Sequence, residues 1–314
     1  MNFDLSDDQV ALRDGIRALV EGRFPMARVR EGFDRSVHQE LADAGVFSLR
    51  ADGFNWTDAA VVYEELGRGL VPGPLVWCFG RERVTTGYDA RLAGSVLIEF
   101  LGLVDDVIAI GVHGHPPEPD QLMGLLTEAD AISTPGPEDW PLDPLTPVWR
   151  TAKQAAGGSR LTESVDELWR AGALLTAAYC VGMADRLTEM SVAYAMERQQ
   201  FDRPIGSFQA VKHICADMAV RAELARASVH AAACVMDDAT TGHLARAVAG
   251  AKLMAGEAAI LNGRSATQVY GGMGFTWEVD VHLYLKRAWV LETQFGSADI
   301  HADALAATMP VAAS

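Results

Sequence analysis

The sequence predicts a mainly α protein in three parts. These are an N-terminal helical domain over residues 1–85, a shortened middle β/loop region over 86–160, and a C-terminal four-helix bundle over 161–314. Three observations carry this. Apolar residues recur at helical spacing on both sides of the middle. The middle holds eight of the thirteen prolines, all between Gly114 and Pro147. Breaks at Pro204–Gly206 and Gly271–Gly272 cut the last half into long helical stretches joined by short connections.

In chain order, Ser6 followed by Gln9 is a capping-box pattern, and Val10, Leu12, Ile16, Leu19 and Val20 continue it as a helix. A second helix is expected over Val37 to Ala44. A third begins near Thr57 and is stopped by Gly69 and Pro72. The string PGPLVW starts a short helix, with Pro74 in its first turn. Ser95 to Phe100 and Asp106 to Val112 are β-prone runs. A second capping box, Ser164 with Glu167, opens an amphipathic stretch reaching Gln200. Ser207 is expected to cap the next helix, running to about Met236. A further helix spans about Thr241 to Tyr270 and ends at the Gly271–Gly272 stop, and the last starts near Thr276. No internal repeat or low-complexity tract interrupts the pattern.

Lys and Arg total 26 against 42 Asp and Glu, a net charge of −16. That balance argues against nucleic acid and against anionic lipid as partners. Cys78, Cys180, Cys215 and Cys234 lie in apolar stretches without CxxC spacing, the pattern of reduced thiols in a cytoplasmic protein. The acidic start MNFDLSDD has no basic n-region, which predicts no signal peptide. The longest apolar stretch, Ala171 to Ala184, is too short to span a bilayer. His113 and His115 sit in a Pro-rich loop and the helical histidines on separate faces, so no metal site is expected.

Two strings can carry chemistry. In MERQQFDRPIGSFQAVKH, the guanidinium of Arg198 at a helix end suits a bidentate contact to phosphate. In QVYGGMGFTWE, adjacent glycines admit close approach of backbone to a ligand. Taken singly, Arg198 reads as a solvated helix-end charge and the glycines as a helix stop.

With EELGRGLVPGPL near the start, these strings resemble the acyl-CoA dehydrogenase family in order and spacing. The resemblance implies a bundle and a middle β-domain surrounding FAD. It implies removal of the substrate α-proton by a carboxylate and transfer of the β-hydride to flavin. By the same resemblance, Arg198, Phe201 and Gln209 match residues holding the FAD pyrophosphate and adenosine, and Gln268 and Gly272 a second set at that end. In family oligomers they serve the flavin site of the neighbouring subunit.

The departures matter as much. The family's usual catalytic Glu falls at Phe295, within LKRAWVLETQFGSADI, and its alternative position on the first bundle helix falls at Gly172. Neither residue takes a proton. Strings like TEP and GSD, which surround the isoalloxazine, are missing between Arg83 and Arg160, and Trp140 and Trp149 have no evident flavin role. The resemblance therefore implies a subunit without a catalytic residue, sharing FAD with a paralogous partner in an α2β2 assembly. The partner supplies the base and binds most of the acyl-CoA. Such enzymes act on bulky, steroid-derived acyl-CoAs in actinobacteria, and an empty second site would leave room for a polycyclic group. The alternatives are a self-sufficient homo-oligomer with Glu292 or another carboxylate as relocated base, and a non-enzymatic scaffold for a paralogue. Glu64 and Glu65 are expected to serve packing or charge pairing, and Asp185 with Glu189 merely to share a helix face.

Overall fold

The structure is a computed structural model that describes residues 4–32, 35–73, 75–79, 102–104, 107–110, 123–127, 142–145 and 165–309. Within them the N-terminal helices are α1 (Asp7–Arg23), α2 (Met26–Val29), α3 (Arg35–Asp43), α4 (Trp56–Arg68) and α5 (Leu75–Cys78). The bundle is α6 (Val165–Glu197), α7 (Gln209–Asp237), α8 (Leu244–Tyr270), α9 (Val281–Thr293) and α10 (Ala298–Ala307). Between the two groups, β1 (Gly102–Val104), β2 (Val107–Ile110) and β3 (Met123–Thr127) form an antiparallel sheet in that order. Leu103 pairs with Ile108, Val107 with Thr127, and the register shifts between Ala109 and Ile110.

The capping chemistry is as the sequence predicts at α1. Ser6 Oγ accepts from Gln9 N at 3.2 Å, and Gln9 Oε1 accepts from Ser6 N at 3.1 Å. Helix α4 carries a second capping box, Asn55 with Asp58, and its start also donates to another element, Trp56 N to Asp237 Oδ1 of α7 at 2.8 Å. Almost every residue of α4 is buried, because it lies between α1 and the bundle. Helix α6 is likewise buried through most of its first two-thirds, with α4 on one side and α7, α8 and α9 on the others.

Two glycines permit the α4–α6 contact. A Cβ on Gly182 would overlap the Glu64 carbonyl oxygen, and one on Gly67 would overlap the Tyr179 carbonyl oxygen. The EELGRG string is thereby explained, since its glycine admits the backbone of α6 and its carboxylates neutralise arginines along the same seam. Glu65 accepts two bonds from Arg17, at 2.8 and 2.6 Å. Glu64 accepts from Arg226 at 3.1 Å and contacts His230 Nε2 at 2.8 Å. Asp185 and Glu189 both pair with Arg68. These paired charges line a cavity of about 590 Å³ between the N-terminal helices and the bundle.

Several expectations need correction. Ser207 does not cap α7; it belongs to a 3-10 turn, Ile205–Ser207, and Phe208 stands at the N-cap without a side-chain bond. The last expected helix begins at Val281, not near Thr276, because Gly271–Phe275 forms a 3-10 turn and the Thr276 hydroxyl donates back to Met273 O at 2.9 Å. Helices α2 and α10 are additions. The β-prone run Ser95 to Phe100, Ser164, His113, His115, Trp140 and Trp149 lie outside the described residues. Among the described residues no helix is long and apolar enough to cross a membrane, and no group of three or more His, Cys, Asp or Glu could hold a metal ion.

Candidate functional site

The cofactor-binding and base positions singled out in the sequence lie toward opposite ends of α6. At its C-terminal end, the chain turns through a hairpin of β4 (Gln199–Gln200) and β5 (Arg203–Pro204). Phe201 and Asp202 form the turn with φ of 53° and 60°. Two non-glycine residues in the left-handed region, at about 1–2 kcal/mol each, are an unusual expense in an exposed turn. The result is a phenyl ring 86% exposed, with its edge toward Phe208 at 6.1 Å between centroids. Arg203 lies over the Phe208 ring at 4.0 Å. Arg198 is exposed and its guanidinium has no partner among the described residues, and Gln209 is exposed at the start of α7.

The second set is brought to the same end. Helices α6 and α8 run parallel, and Tyr194 near the end of α6 stacks on Tyr270 at the end of α8, with centroids 4.0 Å apart and planes 12° apart. Tyr270 Oη donates to Met190 O at 3.3 Å, and Tyr194 Oη donates to Met273 Sδ at 3.8 Å. Gln268 is exposed on the last turn of α8. Gly271 ends the helix at φ +63°, and a Cβ on Gly271 or Gly272 would meet nothing within 4 Å. Phe275, 75% exposed, and Trp277, 60% exposed, follow directly.

One end of the bundle thus presents a free guanidinium, two amides, an open glycine backbone and exposed aromatic faces. That donor set suits an anionic, aromatic-tipped ligand such as the pyrophosphate and adenosine of a dinucleotide. Arg198, Phe201, Gln209, Gln268 and Gly272 would be its contacts.

The other end is closed. Phe295 and Gly172, at the two positions where the resemblance puts a carboxylate, touch each other; a Cβ on Gly172 would overlap three ring carbons of Phe295. The ring is 2% exposed, edge-on to Trp169 at 6.1 Å and 73°, and clustered with Ala173 and Val248. Burial of such a ring contributes about 1.5–3 kcal/mol. On this chain the space beside Gly172 is filled by the Phe295 ring.

The turn that aims the ring is heavily anchored. Phe295 has φ +54° and Gly296 φ +98°. Lys252 of α8 is buried and donates all three protons to carbonyls at the end of α9 and just beyond: Leu291 at 3.1 Å, Glu292 at 2.9 Å and Gly296 at 3.3 Å. Its burial pushes the ammonium pKa down. His301 Nε2 donates to Phe295 O at 2.8 Å; burial, reinforced by the Lys252 charge, brings the imidazole down to about 4. Burial raises the Cys180 thiol to about 11. Glu292, the relocated-base candidate, is engaged through Oε1, which accepts from Ala298 N at 2.7 Å at the start of α10.

Sequence reasoning missed Lys252 and the Arg287–Asp143 pair. A lone lysine inside the small-residue run GAKLMAGEAA was the available signal for the first. Arg287 is buried, bonded to Asp143 and also to Tyr179 Oη at 3.2 Å, so it ties α9 to residues 142–145 and α6.

Residues 165–309 match the model of the acyl-CoA dehydrogenase C-terminal domain. The chain is 32% identical over 303 residues to acyl-CoA dehydrogenase IpdE2 of Mycolicibacterium smegmatis, covering 90% of this chain and 93% of the relative. Acyl-CoA dehydrogenase FadE34 of Mycobacterium tuberculosis is 30% identical over 326 residues, covering 90% of this chain and 45% of the relative. Among solved structures, the ChsE4-ChsE5 complex from Mycobacterium tuberculosis superposes with a TM-score of 0.70 at 20% identity, covering 99% of this chain and 100% of the other. The Tcur3481-Tcur3483 steroid ACAD gives 0.70 at 18%, covering 96% and 97%.

Proposed function

The chain belongs to the acyl-CoA dehydrogenase family, and we propose that it is the base-lacking subunit of a hetero-oligomeric, FAD-dependent acyl-CoA dehydrogenase in the cytoplasm. On this reading its parts, 1–85, 86–160 and 161–314, have unequal duties. The bundle holds the tail of an FAD whose flavin ring lies in a paralogous partner, in an α2β2 assembly. The partner supplies the carboxylate and binds most of the acyl-CoA.

One observation carries the reading. Gly172 lies inside α6 and Arg198 just beyond its last residue, 26 residues on, which at 1.5 Å per residue is about 39 Å. One extended dinucleotide does not reach from one end to the other. On this reading the open end and the closed end belong to different sites, and the open end takes the FAD tail.

The chemistry follows from what each residue can do. Removal of an α-proton needs a carboxylate within hydrogen-bond reach. Gly172 and Phe295 offer none, and Glu292 is committed to a backbone amide. Arg198 would bind and orient the pyrophosphate, Gln209 and Gln268 would hydrogen-bond the nucleotide, Phe201 would cover it from water, and Gly272 would let it approach the backbone. FAD, when bound, accepts the hydride lost from the acyl chain. A bulky, steroid-derived acyl group is the substrate we infer, because a steroid ACAD and a two-chain ChsE complex share this fold.

Co-expression with a longer paralogue that carries the catalytic Glu tests the proposal, by counting FAD per chain. The isolated chain should hold little FAD, because the tail contacts alone must offset the ordering of the whole ligand. The co-purified complex should hold it stoichiometrically and oxidise acyl-CoA. A homo-oligomer of this chain that is yellow and dehydrogenates acyl-CoA by itself overturns it.

A further inference from the structure

We infer that Phe295 is a plug: its ring closes an apolar pocket between Trp169, Gly172, Ala173 and Val248, so that this chain excludes an acyl chain from its own copy of the substrate position. The inference rests on the proposed division of labour for its meaning, but on the packing for its evidence.

Three features indicate that the ring is aimed. First, it is matched by the absence of a side chain opposite. Gly172 lies inside a long helix, where glycine is unfavourable, yet a single methyl there would overlap the ring. Second, Phe295 holds a left-handed backbone conformation, φ +54°, that a bulky residue adopts only when its surroundings fix it. Third, its turn is held from three sides, by Lys252 on the carbonyls of Leu291, Glu292 and Gly296, by His301 on the Phe295 carbonyl, and by Glu292 on Ala298 N. A loop that only needed to end α9 would not require a buried lysine and a strained phenylalanine. Among the described residues the ring packs against Trp169, Gly172, Ala173 and Val248, which are aromatic, aliphatic or glycine, and the ligand class that fits the space it fills is a hydrocarbon chain or ring.

Benzene serves as the apolar probe, and thermal melts of the full chain as the readout. Four proteins are compared: wild type, Phe295→Ala, Gly172→Ala, and the double variant. Wild type should not respond to benzene. Phe295→Ala should melt several degrees lower and regain at least 2 °C when saturated with benzene, a shift of roughly the size that one kcal/mol of linkage gives. Gly172→Ala should lower the melt in the wild-type background and raise it, or leave it unchanged, in the Phe295→Ala background. If Phe295→Ala does not fold, Gly172→Ala against a Phe295→Leu background decides by the same reversal. The inference is overturned if Gly172→Ala raises the wild-type melt, or if benzene stabilises wild type as much as the variant. Neither result touches the FAD-tail reading, which is read separately in the assembled complex.

Discussion

Alanine in place of Gly182 should destabilise this protein, against the usual sign of that substitution. In a helix interior Gly→Ala normally stabilises by about 0.5–1 kcal/mol, because it removes backbone freedom from the unfolded chain. Gly15 of α1 is exposed and a Cβ there meets nothing within 4 Å, so Gly15→Ala should show that gain. At Gly182 the new Cβ would overlap the Glu64 carbonyl oxygen and lie 2.7 Å from its carbon and 2.9 Å from Arg68 N. All three are backbone atoms and no rotamer relieves them. Helices α4 and α6 must separate, which opens the Gly67–Tyr179 approach and stretches the Arg68 pairs to Asp185 and Glu189. Overpacking costs about 1–3 kcal/mol where side chains can yield. Taking the upper end and subtracting the propensity gain leaves a net loss of about 2 kcal/mol or more. Urea titration followed by helical ellipticity measures both variants against wild type. If Gly182→Ala is as stable as Gly15→Ala, the close approach of these helices is not the constraint described above.

Two further outcomes follow from the two ends of α6. In the assembled complex Arg198→Ala removes a charge-assisted hydrogen bond of about 1.5–3 kcal/mol, so FAD affinity should fall by roughly one to two powers of ten, with Arg198→Lys recovering part; unchanged FAD titrations would remove Arg198 from the site. At the closed end, the folded pKa of His301 is lowered from 6.5 to about 4, so on acidification the unfolded chain takes up the proton first. The stability His301 contributes is complete above pH 6.5 and is lost as pH falls toward 4, by about 2 kcal/mol between pH 7.5 and 5. Urea midpoints of wild type should drop over that interval more than those of His301→Gln, and equal drops would contradict the neutral buried imidazole.

What the sequence discloses divides along a physical line. Local signals read correctly: the Ser6–Gln9 capping box, the long periodic helices, and Gly271 as the stop of α8 with its positive φ. Signals that depend on competition between local partners mislead. Ser207 and Thr276 both have the chemistry of an N-cap, but the first lies in a 3-10 turn and the second donates to Met273 O, so neither starts a helix. Helix α10 has weak periodicity, and its first amide is satisfied by Glu292 across the turn, which no window of sequence displays. Lys252 is hidden for the same reason, since its acceptors are carbonyls about forty residues away. Gly172 and Phe295 are each unexceptional in sequence, and only the fold places one against the other.

The two ends of α6 also differ in what they do for the fold, and that difference bears on function. The Phe295 end stabilises the chain by itself: the ring is buried, its carbonyl and the neighbouring ones have donors, and the strain of the turn is offset by apolar burial. It requires no ligand to account for it. The hairpin end does the reverse. Phe201 and Asp202 carry left-handed strain, the Phe201 ring gains little burial, the Arg198 charge has no partner among the described residues, and Phe275 and Trp277 add apolar surface beside them. An isolated chain would be more stable with Gly at 201 or 202 and a polar residue at 275. Groups that cost the fold stability and contribute little packing make sense only through contact with something outside the chain. The destabilised end is therefore where the proposed cofactor and partner subunit should meet, and the stabilised end is where this chain needs neither.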